Sequence, residues 1–314
     1  MVLLGLLSLD GTKLAGNAAQ KANRRLPQIE KVLAEAAAAD AAEDARYGDA
    51  AGEPTPRTLA GRAERRERLA RARDRLAAED KARRDAQQAK QEAWDAAAAA
   101  GKRRSGRRPD DEPRAGRAGA EPRASITDPD VRVMRHQKGC VAGYNGQAVV
   151  TADRVIAGAL LSQHPVGRTL LHPLLDQCRD QLAAAGIRPK LRTVRADAGY
   201  ASEDNFARAG PGKLRLLVPL AKDPGRPGGR IPKRARHLDQ YPATARAIRR
   251  PRHPRGREDY KLQARTVEPV SGQLKACQKL TMMSRRGLAA CESEWLLACA
   301  AHNLRKLHRH RVQG

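Results

Sequence analysis

The chain has 314 residues, with 61 Lys and Arg against 35 Asp and Glu, a formal net charge of +26 and a pI of about 10.8. That surplus calls for a polyanionic partner, and nucleic acid is the commonest. No apolar run is long enough for a helix to span a bilayer, so no membrane partner is expected.

Aromatics make up only 3% of the residues, and alanine is abundant, which predicts a small aliphatic core with much of its bulk in helices. The five cysteines, Cys140, Cys178, Cys277, Cys291 and Cys299, are odd in number and never spaced C-x-x-C. That argues against a disulfide framework and a zinc knuckle, and fits a reducing compartment. Cys291 and Cys299 lie in an Ala/Leu-rich stretch and read as small core residues.

The opening, MVLLGLLSLDGTKLAG, has two readings: the apolar core of an export signal, or a buried strand that delivers a carboxylate. A signal needs a cationic start and a small-residue cleavage site after its apolar run. Here no Lys or Arg precedes the run, and Asp10 interrupts it. A strand over 2–9, closed by an Asp10-Gly11 turn, is the expectation.

A helix is predicted from about 27 to 47, with Pro27 in its first turn and Gly48 as its stop. GDAAGEPTPRT, 48–58, reads as a loop, and a long charged helix follows from about Leu59 to Ala99, with Leu69 and Leu76 one heptad apart. Together these predict a helical hairpin with a narrow Leu/Ala seam. Residues 101–125 are a Gly/Pro/Arg-rich linker. Two β-like runs are expected in 131–161 with a turn near 152–154, then an amphipathic helix over 171–186. A strand over 191–202 entering a tight turn, a helix, a strand over 213–220 and a largely helical terminus over 267–310 complete the order. A second Gly/Pro/Arg-rich stretch covers 222–257. The resulting divisions are 1–26 for the first strand and its turn, 27–100 for the hairpin, 101–128 for the linker and 129–314 for the rest of one α/β domain.

Three acids stand apart. Asp10 and Asp197 each follow a predicted strand and precede a glycine turn, and Glu268 is placed at a helix start before Pro269. Two strand-end carboxylates and one helix-borne carboxylate suit hard divalent cations. Two such ions serve phosphodiester chemistry by activating the attacking oxygen and stabilising the leaving one.

The set DGTK, DAGY and VEPVSGQLK, with Tyr260 upstream, resembles the D-D-E transposases of bacterial insertion sequences. The likeness runs through AEAAAADAAEDARYGDA, GYNGQAVV and AHNLRKL. It implies an α/β, RNase H-like (retroviral-integrase-like) mixed sheet with flanking helices and a long helical insertion after the first strand. It also implies that Asp10, Asp197 and Glu268 hold Mg2+ or Mn2+, as two ions, and that Lys275, Tyr260, Arg265 and Lys13 contact DNA. The partners implied are double-stranded transposon-end and target DNA and a second copy of the chain, in the bacterial cytoplasm at the nucleoid. Two departures from the family pattern are Gln263 and Ala264 where an Arg is expected, with Arg265 displaced, and Ser271 in an aromatic's place. Relatives carry a further region ahead of the first Asp. The alternative expectation is therefore a truncated, inactive remnant that only binds DNA.

Overall fold

The computed structural model describes residues 4–19, 22–47, 57–101, 108–110, 122–136, 139–187, 191–210, 212, 214–219, 238–247 and 254–313. The chain divides into two compact units, Met1–Asn17 with Arg132–Gly314, and Ala18–Val131. In chain order the elements are β1 (Leu6–Ala15), β2 (Asn23–Arg24), α1 (Leu26–Tyr47), α2 (Arg57–Ala99) and β3 (Ala124–Ser125). Then come β4 (Arg132–His136), β5 (Gly139–Thr151), β6 (Ile156–Ser162), α3 (Leu171–Ala184) and β7 (Thr193–Ala196). The last are α4 (Glu203–Ala209), β8 (Arg215–Leu217), α5 (Pro242–Ala247), α6 (Pro254–Ala276) and α7 (Leu288–Gln313).

The first unit is built on a mixed sheet of order β4-β5-β1-β7-β8, with β6 also paired to β5. β1 lies inside it, antiparallel to β5 and parallel to β7. An inner strand whose two faces are both covered reads as a near-continuous apolar run. Leu7, Ser8 and Leu9 are all fully buried, which explains the aliphatic opening of the chain. Around them pack Val149 from β5, Leu171, Leu174 and Leu175 from α3, Val194 from β7 and Leu216 from β8. Cys178, Cys291 and Cys299 are buried, and none of the five cysteines is joined in a disulfide. Among the described residues no helix is long and apolar enough to cross a membrane.

In the second unit α1 and α2 pack together over a small core of Ile29, Leu69, Ala72, Leu76 and Ala124. The buried α2 positions recur at intervals of three and four, one stripe on a 3.6-residue helix. Ala124 and Ser125, placed by the sequence in the linker, form β3 and pair antiparallel with β2. Arg75 holds this unit's ends, donating to the carbonyls of Pro129 at 2.7 Å and Arg123 at 2.9 Å. The predicted stop at Gly48, and most of the predicted loop 48–58 and of the linker 101–125, lie outside the described residues; Arg57 and Thr58 belong to α2.

Several expectations need correction. β1 does not stop at Leu9. It runs to Ala15, because β5 supplies nine consecutive partners, Leu7↔Thr151 through Ala15↔Gly143. Asp10-Gly11 is therefore mid-strand rather than a turn. The region 131–161 holds three strands, not two, although its turn falls where expected, with Arg154 at a positive φ of 62°. Glu268 does not open a helix: α6 begins at Pro254 and carries Pro269 in its interior. A proline there removes one i to i−4 hydrogen bond. The helix continues because its stripe of Val267, Val270 and Leu274 is buried, and the helix packs on β1, β5 and β7. The helical terminus is two helices, α6 and α7, broken over 277–287.

Candidate active site

Parallel pairing of β1 with β7 ends at Leu9↔Ala196. Asp10 and Asp197 are the next residues of the two strands, so their carboxylates leave the sheet side by side. The same edge of β1 is taken up again at Ala15, whose N–H donates to Thr281 at 3.1 Å and whose carbonyl accepts from Met283 at 2.8 Å. Between these two pairings lies a notch, and the acids sit at its start. Each carboxylate is pinned locally. Gly11 N–H donates to Asp10 Oδ1 at 2.7 Å, and Gly199 N–H donates to Asp197 Oδ1 at 2.8 Å.

α6 brings the third acid. Glu268 follows buried Val267, and Lys275 follows buried Leu274, seven residues on. Both therefore flank the buried stripe on the same side, about 10 Å apart along the axis at 1.5 Å per residue. Glu268 is exposed and Lys275 half-buried.

The electrostatics link all five charged groups. Burial is the largest influence on Asp10 and helps push its carboxyl up to about 6. The Gly11 N–H opposes that rise, the charges of Asp197 and Glu268 add to it, and Lys275 draws it back. Asp197 is also raised, again chiefly by groups that desolvate it, against the hydrogen bond from Gly199 and the charge of Lys13. Lys275 and Lys13 are both lowered by burial, with Asp10 supporting the charge of the first and Asp197 that of the second. These lysines sit in the acids' field rather than free on the surface. Lys13 Nζ also donates to the carbonyl of Pro165. Tyr260 is half-buried and Arg265 exposed, both on α6, and Gln263 is buried.

Among the described residues no three His, Cys, Asp or Glu side chains stand placed to hold a metal ion. The three acids form one electrostatic cluster without a closed chelate. Their donor chemistry still fits a hard divalent cation, because all three are carboxylates and carboxylate oxygens are what such a cation takes.

Sequence reasoning assigned no role to the polar layer beneath the acids. Gln147 lies opposite Gly11 in the β1–β5 register and is buried. A Cβ on Gly11 would come within 2.1 Å of Gln147 Nε2, so only glycine lets that side chain cross the strand. The Tyr200 hydroxyl donates to Gln147 Oε1, Gln147 Nε2 donates to Asn145 Oδ1 at 2.9 Å, and Asn145 Nδ2 donates to the His164 carbonyl at 2.9 Å. Burial first, then the charges of Asp10 and Asp197, hold the Tyr200 phenol well above its ordinary range. It therefore stays a neutral donor. The visible signals were Gly11 in a buried strand and the polar pair Asn145 and Gln147 at alternate positions of β5.

Known proteins bear on one part of this arrangement. No curated protein and no solved structure matches the chain. Residues 229–308, about a quarter of the chain and the segment that carries Tyr260, Glu268 and Lys275, match the family described as Transposase DDE domain, and that match supports a DDE transposase.

Proposed function

We propose that the chain is a DNA transposase of RNase H-like architecture. It would hydrolyse a phosphodiester at each transposon end, and the freed 3′-hydroxyl would then attack a phosphodiester of target DNA. The observation that carries this reading is the convergence of Asp10 and Asp197 where the parallel pairing of β1 with β7 ends, in the same field as Glu268. The family match to the segment bearing Glu268 agrees with it.

In this reading Asp10, Asp197 and Glu268 hold Mg2+ or Mn2+, as two ions, which when bound activate the attacking oxygen and stabilise the leaving one. The chain's own part is positional. β1 and β7 fix two acids, and α6 sets the third beside them. Lys275 and Lys13 flank the carboxylates as cations for neighbouring DNA phosphates, with Tyr260 and Arg265 along α6. Global positive charge attracts the DNA backbone, while the notch stays locally negative for the cations. Two transposon ends and a target call for a pair of chains, so a homodimer is the working assembly, acting in the bacterial cytoplasm at the nucleoid.

The test is nicking and strand transfer on end-containing DNA with Mg2+ or Mn2+, comparing the intact chain with Asp197→Ala. Activity that needs metal and disappears in the variant is the expected result. Equal silence of both proteins with DNA binding retained would replace this reading with that of a DNA-binding remnant.

A further inference from the structure

The turn between β6 and α3 runs SQHPVGRT over 162–169. It is short, polar at its ends and exposed, a composition that ordinarily leaves a loop mobile. Here side chains from several elements hold its backbone. Lys13 of β1 donates to the Pro165 carbonyl, Asn145 of β5 to that of His164 at 2.9 Å, and Asn205 of α4 to that of Arg168 at 2.8 Å. Asn145 and Asn205 are themselves buried. Ser162 Oγ accepts from His164 N–H at 3.0 Å, and Arg132 reaches Gln163 Oε1 at 3.1 Å. Gly167 lies against the Tyr200 ring so closely that a Cβ there would be 2.6 Å from Cε1.

The side chains of the loop itself do the opposite. His164, Pro165, Arg168 and Thr169 are exposed, and Val166 is 50% exposed. Among the described residues Arg168 has no carboxylate partner within ion-pair range. Buried amides are thus spent on fixing a backbone whose own side chains touch little. Ordering a surface loop costs entropy that its internal contacts do not return, and fixed exposed groups suit a partner that meets them preorganised.

Position identifies the partner. The loop rests on Tyr200, three residues beyond Asp197, and is tied to Lys13, which lies in the field of Asp197. We propose that residues 163–169 form a rigid DNA-contacting rim of the acidic notch. Arg168 takes a backbone phosphate beside the reacting one, and Val166 packs on the adjoining sugar or base edge. The cation supplies affinity without sequence information, and the apolar residue supplies shape. The inference rests on the reading of the chain as a transposase, but its test reads binding rather than cutting.

The experiment titrates the full chain against a fluorescent duplex oligonucleotide at several salt concentrations. Arg168→Ala should weaken binding on the order of tenfold and lower the salt slope by about one phosphate contact. Arg168→Lys should restore the slope, and Val166→Ser should weaken binding with the slope unchanged. Thermal melts confirm that these exposed substitutions leave the fold intact. Wild-type affinity and slope in Arg168→Ala overturn the rim, as does a loss equally large on single-stranded RNA of the same length. If Arg168→Ala behaves normally while Asp197→Ala abolishes metal-dependent nicking, the rim alone fails. If Arg168→Ala weakens binding but no nicking is ever seen, the catalytic reading fails and the rim stands.

Discussion

The two units show two ways in which one chain holds itself together. In the sheet unit, burial does the work: β1 is enclosed on both faces and along much of both edges, and its neighbours contribute a broad aliphatic core. In the helical unit, α2 runs for 43 residues, about 65 Å at 1.5 Å per residue. Among its described side chains the buried positions are Leu69, Ala72 and Leu76, and from Ala77 to Ala99 no residue is buried. What that length carries instead is local: alanine propensity and pairs one turn apart, such as Arg84 with Asp80 at 2.8 Å and Lys81 with Asp85 at 3.2 Å. The difference teaches where a substitution will be felt. The sheet unit is sensitive at many points, and the helical unit only along one short seam.

Leu76→Ala tests that contrast most strongly. Emptying a fully buried leucine costs about 2–4 kcal/mol, and among the described residues of the helical unit few other buried side chains are there to absorb it. Hydrogen exchange should rise across α1 and α2 while the amides of β1 and β5 stay protected. The same change at Leu174, inside the larger core, should lower the stability of the sheet unit without releasing α1 and α2. Joint loss of protection in both units from either variant would show that they do not unfold separately.

A smaller effect comes from Asp10, where the sheet unit carries a cost for its proposed chemistry. Its folded carboxyl titrates at about 6 and its ordinary value is 3.8. The folded state therefore favours the protonated form. That contribution to stability is present in full below the ordinary value and is lost as pH rises through about 6. Asp10→Asn should stabilise the metal-free chain above pH 6 by about 1–2 kcal/mol, allowing for its partial exposure, with no gain well below that pH. Denaturant melts on either side of pH 6 measure it. Unchanged stability would mean that the carboxylate is well solvated in the notch. The smallest effect belongs to α2: Asp85→Asn breaks a pair whose side chains are 79% and 61% exposed, and melting should shift by less than about 0.5 kcal/mol.

Much of the fold was legible in the sequence because its signals are local. The extents of α1 and α2, the helix near 171–186 with its stop at Gly186, and the turn at Arg154 follow from alanine content, periodicity and local turn residues. The errors came where packing overrides such signals. Asp10-Gly11 has the composition of a turn, but β5 pairs straight through it, and Gly11 is there to admit Gln147. Glu268-Pro269 has the composition of a helix start, but burial of Val267, Val270 and Leu274 carries α6 across the proline.

The sequence by itself determined the cationic excess and the main helices, and singled out three acids as candidates, because these are properties of residue type and local spacing. Tertiary structure alone decided what surrounds them. It set Asp10 beside Asp197 by ending one ladder of the sheet, placed Tyr200, Gln147 and Asn145 beneath them and fixed the 163–169 loop at their rim. Apart from Gln147 with Asn145, those hydrogen bonds join residues 19 to 53 positions apart. Strand register and burial create them, and no local stretch of the chain encodes either one alone.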